Sequence, residues 1–190
     1  MISSVANNIT NYLICKKVIK DDDREIYQYG FEQVFSSLLN IATMLLLGII
    51  LGKIYQSLVL ILSFMALRSY SGGYHANTPL HCYLLTVMSI SAALSIMIFI
   101  TIDRFICLGL LVLSSLIIIT LSPIGTANKP LDEIEKIIYR KKTIIVWCIE
   151  TCVALLFIVF NTTEIHSSIV LAQTLVSIAL ISGKVQTRNF

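Results

Sequence analysis

The side chains able to do covalent chemistry gather in residues 68–82, RSYSGGYHANTPLHC, with long apolar runs on either side. Cys82 offers a nucleophile, and His75, seven residues earlier in a Gly-rich loop, offers a base. Such a loop can fold back so that imidazole meets sulfur, the arrangement a Cys-His protease dyad needs. Other readings of the same residues stay open. Cys82 can be an inert packing residue near a helix end. His75, His81 and Cys82 can also be three zinc ligands with an open position. Against zinc, His81 and Cys82 are adjacent, and adjacent helical residues diverge by about 100°. His81 is a rival base that points away from Cys82, and it reads as an interfacial histidine.

The elements around these residues follow from local chemistry. Ser71, Gly72 and Gly73 sit poorly inside a helix, so the preceding apolar run should end near Arg68 and Ser69. Thr78-Pro79 reads as an N-cap followed by a first helical residue, because Thr accepts a backbone N–H and Pro lacks one where none is needed. A helix is therefore predicted from Pro79. It carries Cys82 in its first turn, where unpaired N–H groups and the helix dipole favour an anion.

The rest of the chain is membrane protein by composition. It has 190 residues, 56% apolar and 13% charged, with a mean hydropathy of +0.85. That is far from the roughly one-quarter charged residues of a soluble domain. Ile2, Val5, Ile9, Tyr12, Leu13 and Ile19 recur at spacings of three and four, which predicts an amphipathic helix rather than a signal peptide. Lys16, Lys17 and Lys20 would draw it to anionic headgroups, although docking on the bundle fits the same pattern. Asp21, Asp22 and Asp23 suit the start of the next helix. Six apolar segments follow, at 31–51, 54–70, 80–102, 105–122, 143–160 and 165–183, most near the roughly 20 residues that cross a bilayer. The expected fold is all-α and polytopic: six transmembrane helices behind an amphipathic interfacial helix.

Charge gives the orientation. The N-terminus, the 68–81 loop, the 123–142 loop and the C-terminus hold twelve Lys and Arg, whereas the opposite hairpins hold only Lys53 and Arg104. The positive-inside rule makes the first set cytoplasmic, with both termini and the reactive loop on that side. Thiols stay reduced there. The five cysteines agree, since their count is odd and several fall within spans. Cys148 and Cys152 share a helical face as packing residues.

Glu150 inside the fifth segment must face the bundle or be neutral. If the last two segments form a hairpin, Gln173 lies at its depth and is the expected hydrogen-bond partner. The alternative is that Glu150 orients His75. In the 123–142 loop, residues 132–142 read as a short helix ending in Arg140, Lys141 and Lys142. That basic cluster marks orientation, and it also suits an acidic peptide tail or anionic lipid.

The pattern Arg68, Gly72, Gly73, His75, Ala76 and Cys82 between the second and third of six spans resembles the accessory gene regulator protein B family. So does the loop holding Pro123, Asn128, Lys129, Pro130 and Leu131 after the fourth. The resemblance covers nearly the whole chain in layout. It implies a membrane cysteine endopeptidase of the bacterial cell membrane that matures a quorum-sensing pheromone precursor. His75 and Cys82 match its catalytic pair. Cys82 would form an acyl thioester, and a cysteine of the precursor could then attack it to close a thiolactone. Gly72, Gly73 and Arg68 would support the loop or an oxyanion; the backbone N–H groups near Cys82 could also stabilise the oxyanion, and Arg68 could instead bind a substrate carboxylate. Lys129, Arg140, Lys141 and Lys142 are candidate contacts for a substrate tail or lipid. The implied partners are a precursor peptide, membrane lipid and a second copy of the chain, without nucleic acid, metal or cofactor. Small residues at Ser89, Ser91, Ala92, Ala93 and Ser95 permit the close helix packing a homodimer needs.

On this reading the chain divides into an amphipathic cytoplasmic segment at 1–30, a six-helix transmembrane protease domain at 31–183 and a cytoplasmic tail at 184–190. The competing reading is a non-enzymatic membrane transport or export component, in which His75 and Arg68 only shape a loop. Against it stand a single intramembrane carboxylate and no pair of broken helices.

Overall fold

The structure, a computed structural model, describes residues 2–74, 76, 78–100, 102–125, 131–160 and 163–188. Among these the named elements are seven α-helices and one 3-10 turn: α1 (Ile2–Cys15), the turn Asp21–Asp23, α2 (Arg24–Ile50), α3 (Ile54–Ser71), α4 (Pro79–Phe99), α5 (Arg104–Leu121), α6 (Glu133–Val159) and α7 (Thr163–Arg188). The expected helical class and the amphipathic first helix are both present. The chain forms two compact units, residues 1–43 and 44–190. In the first, Ser3 Oγ donates to Glu32 Oε1 at 2.7 Å and Arg24 donates to Asn11, linking α1 to the first half of α2. The second holds every residue of the candidate site that the structure describes.

In that second unit α7 is the central helix. Its Ile169, Val170, Leu171, Ala172, Val176 and Leu180 are all buried. Around it lie two apolar clusters. One joins Cys107 and Leu111 of α5, Ala154 of α6 and Ile169 and Val170 of α7. The other joins Leu67 of α3, Ile118 of α5 and Val176 and Leu180 of α7. Outward faces carry Leu84, Met88, Val112, Leu116, Ile145, Ile149 and Leu156, all exposed. In a soluble protein such faces would drive aggregation, whereas in lipid they are the correct solvent contact.

Among the described residues, five helices are long and apolar enough to cross a membrane: the first long helix with its preceding turn, then α4, α5, α6 and α7. The expected count was six, and α3 is the difference. Its 18 residues include Gln56, Ser57, Ser63, Arg68 and Ser71, and all of these except the half-buried Arg68 are buried. Its polarity is inward-facing, so its mean hydropathy falls although it lies inside the bundle. It nevertheless runs parallel to α7 over a common length. At one end Lys53 pairs with Glu164 at 3.8 Å, and at the other the Tyr74 N–H reaches the Ala179 carbonyl at 2.8 Å.

A second difference concerns α6. The short helix expected over 132–142 and the span after it are one 27-residue helix. Asp132 and Glu135 form a capping box, with the Asp132 N–H donating to Glu135 Oε2 at 3.2 Å. No Gly or Pro occurs from Glu133 to Val159, so nothing stops the helix. At 1.5 Å per residue it is about 40 Å long, against a hydrocarbon core of about 30 Å. Its basic first turns therefore stand clear of the apolar layer.

Candidate active site

The site is built from two helix ends and a two-glycine turn. α3 stops at Ser71 because Gly72 and Gly73 take φ of +69° and +117°, a region that L side chains rarely enter. Space adds to the constraint. A Cβ on Gly72 would collide with the Ile124 carbonyl oxygen. One on Gly73 would collide with the Arg68 guanidinium and come within 2.8 Å of the Ala179 oxygen. The turn thus exists only where two neighbouring segments can press directly on its backbone.

Three sets of hydrogen bonds hold it. Arg68, in the last turn of α3, donates through both terminal nitrogens to the carbonyls of Gly72 and Tyr74. The Tyr74 N–H donates to Ala179 of α7 at 2.8 Å, and the Ile124 N–H donates to Ser71 at 3.0 Å. Gly72 and Ile124 form a parallel bridge. Sequence reasoning found Arg68, Gly72 and Gly73 but missed Ile124, Ala179 and Gly183, which anchor the turn from elsewhere in the chain. Gly183 did carry a signal, a lone glycine late in an apolar helix. A Cβ there would stand 2.6 Å from the Tyr74 nitrogen.

Cys82 is placed as its sequence predicts. α4 begins at Pro79, and Thr78, extended at φ −128° and ψ 145°, caps it by accepting from the His81 N–H at 3.3 Å. The Thr78 carbonyl accepts the Cys82 N–H at 3.1 Å. Two of the amides considered for an oxyanion, those of His81 and Cys82, are therefore already engaged. Cys82 is half-buried, and the Arg68 guanidinium is near enough to interact with it electrostatically. His81 is exposed, with Nδ1 2.6 Å from Thr78 Oγ1, in keeping with an interfacial role.

His75, Asn128, Lys129 and Pro130 lie outside the described residues. Of the neighbours of His75, Tyr74 is bonded to α7 and Ala76 is buried. The other basic candidates reach the same end of the bundle. The Lys142 ammonium lies 5.3 Å from the Tyr70 ring centroid, and Tyr70 packs against Tyr139 at 6.3 Å. Arg140 reaches the Ile119 carbonyl at 3.5 Å. Lys141 is exposed. The Glu150–Gln173 partnership is present, Gln173 Nε2 donating to Glu150 Oε2 at 3.5 Å. Among the described residues, no three His, Cys, Asp or Glu side chains converge on a point.

Fold and site together define a multi-pass helical membrane protein with a cysteine at a helix start, beside an Arg-clamped glycine turn at one end of the bundle. The chain belongs to the accessory gene regulator B family, whose model matches residues 6–180. This family is involved in processing the agr quorum-sensing peptide and is linked to an AgrD-type precursor. A protein of Clostridium perfringens (strain 13 / Type A) described as AgrB-like is 26% identical over 144 residues, covering 72% of this chain and 67% of its own. A protein of Listeria monocytogenes serotype 4b (strain F2365) with the same description is 28% identical over 144 residues, covering 74% and 71%. No solved structure matches the chain.

Proposed function

We propose that this protein is a membrane-embedded cysteine endopeptidase that cleaves the C-terminal segment from a pheromone precursor and leaves the remainder as an acyl thioester on Cys82. The observation that carries this reading is the placement of a half-buried thiol in the capped first turn of α4, beside the Arg68-clamped glycine turn that leads to His75. In the reaction, Cys82 Sγ attacks the scissile carbonyl while His75 takes the thiol proton. Collapse of the tetrahedral intermediate breaks the C–N bond, and His75 returns the proton to the departing amine. Sulfur remains acylated.

Arg68 supports the negative charge that develops on the carbonyl oxygen. Two of its five N–H groups are spent on the turn, which leaves donors and a fixed positive charge for the oxyanion. A cysteine of the bound precursor then attacks the thioester, its thiolate replacing that of Cys82. Exchange of one thioester for another is nearly neutral in energy, so the ring can close without an external energy source. Water has to be kept from the acyl group, which a site shielded at the membrane surface would achieve. The exposed Arg140, Lys141 and Lys142, beside Tyr70 at the same end of the bundle, suit an acidic segment of the precursor or anionic lipid.

The test is reconstitution in lipid with the cognate precursor, followed by intact-mass analysis. Wild type is expected to release a C-terminal fragment and to carry a precursor adduct on Cys82. Cys82→Ala and His75→Ala are expected to do neither. Equal cleavage by all three overturns the dyad, and a precursor that is bound or moved at unchanged length favours a transport role instead.

A further inference from the structure

Residues 122–125, between α5 and α6, carry no group that the proposed chemistry uses, yet they lie against the turn that leads to His75. α5 ends where the Ser122 N–H donates to the Ile118 carbonyl at 3.1 Å, and Ser122 is extended at φ −79° and ψ 148°. The chain then runs beside the glycine turn. The Ile124 N–H donates to the Ser71 carbonyl at 3.0 Å, the Ile124 carbonyl presses on Gly72, and Gly72 and Ile124 form a parallel bridge. The Ile124 side chain packs against the cluster of Leu67, Ile118, Val176 and Leu180. One edge of this short segment is thus paired, and its apolar side chain is anchored in the core.

Peptide planarity fixes what the other edge presents. Both peptide bonds of Ile124 are trans, and in a trans peptide the C=O and N–H point in opposite directions. Because the Ile124 N–H faces the turn, the Pro123 carbonyl faces away from it. Because the Ile124 carbonyl faces the turn, the Gly125 N–H faces away as well. Among the described residues, neither of these two groups has a backbone partner. Pro123 and Gly125 are half-buried rather than enclosed. The residue types suit an outer edge. Proline, which has no N–H to pair, is confined to edge strands, and glycine lets another backbone come close. An acceptor and a donor flanking one residue are the groups through which a strand takes on a neighbour.

We propose that an extended segment of the precursor peptide binds along this edge, one of its N–H groups donating to the Pro123 carbonyl and one of its carbonyls accepting from the Gly125 N–H. The inference rests on the peptidase reading and gives the substrate its register there. Position argues for the precursor. Ile124 is bridged to Gly72, the Gly72 carbonyl is held by Arg68, and Arg68 is near enough to Cys82 to interact with it electrostatically. A strand on this edge lies two strand spacings, about 10 Å, from Gly72, a distance that about three extended residues cover. Length argues against a second copy of the chain, since one donor and one acceptor make too short an edge for lasting association between proteins. Main-chain bonds hold a peptide without reading its side chains. The contact therefore sets where along the precursor the scissile carbonyl falls, and leaves its sequence to other contacts.

The experiment measures binding of the cognate precursor peptide, synthesised with a fluorescein label, to full-length Cys82→Ala protein in lipid nanodiscs, where binding is separated from cleavage. A series of precursors, each with one backbone amide replaced by an ester, removes one N–H at a time. At one position near the cleavage site the replacement is expected to weaken binding about ten-fold, the effect of one main-chain hydrogen bond left unmade at a half-buried site. On the protein side, Gly125→Pro deletes the donor, and proline there favours the extended backbone at Ile124 that the bridge already uses. It should weaken binding by a similar factor, and Gly125→Ala, which keeps the donor, should recover most of that loss. A flat ester series overturns the proposal even where Gly125→Pro fails to assemble, and so does an equal loss in the proline and alanine variants. If Gly125→Pro changes the oligomeric size while precursor binding stays the same, the edge serves a second copy and the proposal falls. The peptidase reading fails separately: wild type that binds precursor with the expected ester pattern and never cleaves it keeps the edge and loses the protease, whereas no binding at all sinks both.

Discussion

At the scale of single residues, the turn after α3 is specified by what glycine lacks. Gly73 needs a positive φ and also needs the space in which its missing Cβ would meet Arg68 and the Ala179 carbonyl. Gly73→Ala therefore strains the backbone and pushes the turn off both of its supports at once. Because His75 is two residues on, the cleavage rate is expected to fall by at least about 100-fold, since a displacement of about 1 Å at a catalytic group has that effect. Gly109→Ala is the control. Nothing lies within 4 Å of a Cβ at that position in α5, and alanine favours a helix interior by about 1 kcal/mol over glycine. Equal cleavage by the two variants, measured by mass analysis at matched protein levels, would remove the turn from the catalytic account.

At the scale of elements, the start of α4 shows which parts of this fold are readable from sequence. Thr78-Pro79 announced the helix and the position of Cys82, because capping depends on groups within three residues of each other. The inward-facing character of α3 and the continuity of α6 were not readable. The first depends on which faces of Gln56, Ser57 and Ser63 meet other helices. The second was hidden by Arg140-Lys141-Lys142, a charge cluster that resembles a boundary but lies within an unbroken helix. Ile124 and Ala179 act on the turn through backbone atoms, which leave no trace in side-chain identity. The cap itself is testable. Thr78→Ala removes an acceptor worth about 1 kcal/mol, so the first turn of α4 should fray and alkylation of Cys82 should become faster while cleavage slows. Thr78→Ser keeps the acceptor and should restore both. If Ala and Ser behave alike, the hydroxyl of Thr78 has no part in holding the thiol.

At the scale of the whole molecule, direction and charge decide on which side the chemistry takes place. Lys53 and Glu164 pair at one end of α3 and α7, and the glycine turn, Ile124 and Ala179 meet at the other. The helix α6 enters at this second end, since Tyr139 and Lys142 contact Tyr70. Thus α3, α5 and α7 run one way and α6 the other, although α3 is not among the five helices long and apolar enough to cross. Twelve of the fourteen Lys and Arg fall on the segments that the sequence reading assigns to the cytoplasm, so the positive-inside rule predicts that the end carrying the site faces that side. The check is a membrane-impermeant maleimide on intact cells, in a background with the native cysteines replaced. Lys53→Cys should label before permeabilisation, and Lys141→Cys only after it. If both label only after permeabilisation, α3 does not cross and the pairing of Lys53 with Glu164 cannot hold. If the pattern is reversed, the thiol faces the oxidising side, where Cys82 would not persist as the reduced nucleophile that the proposed mechanism needs.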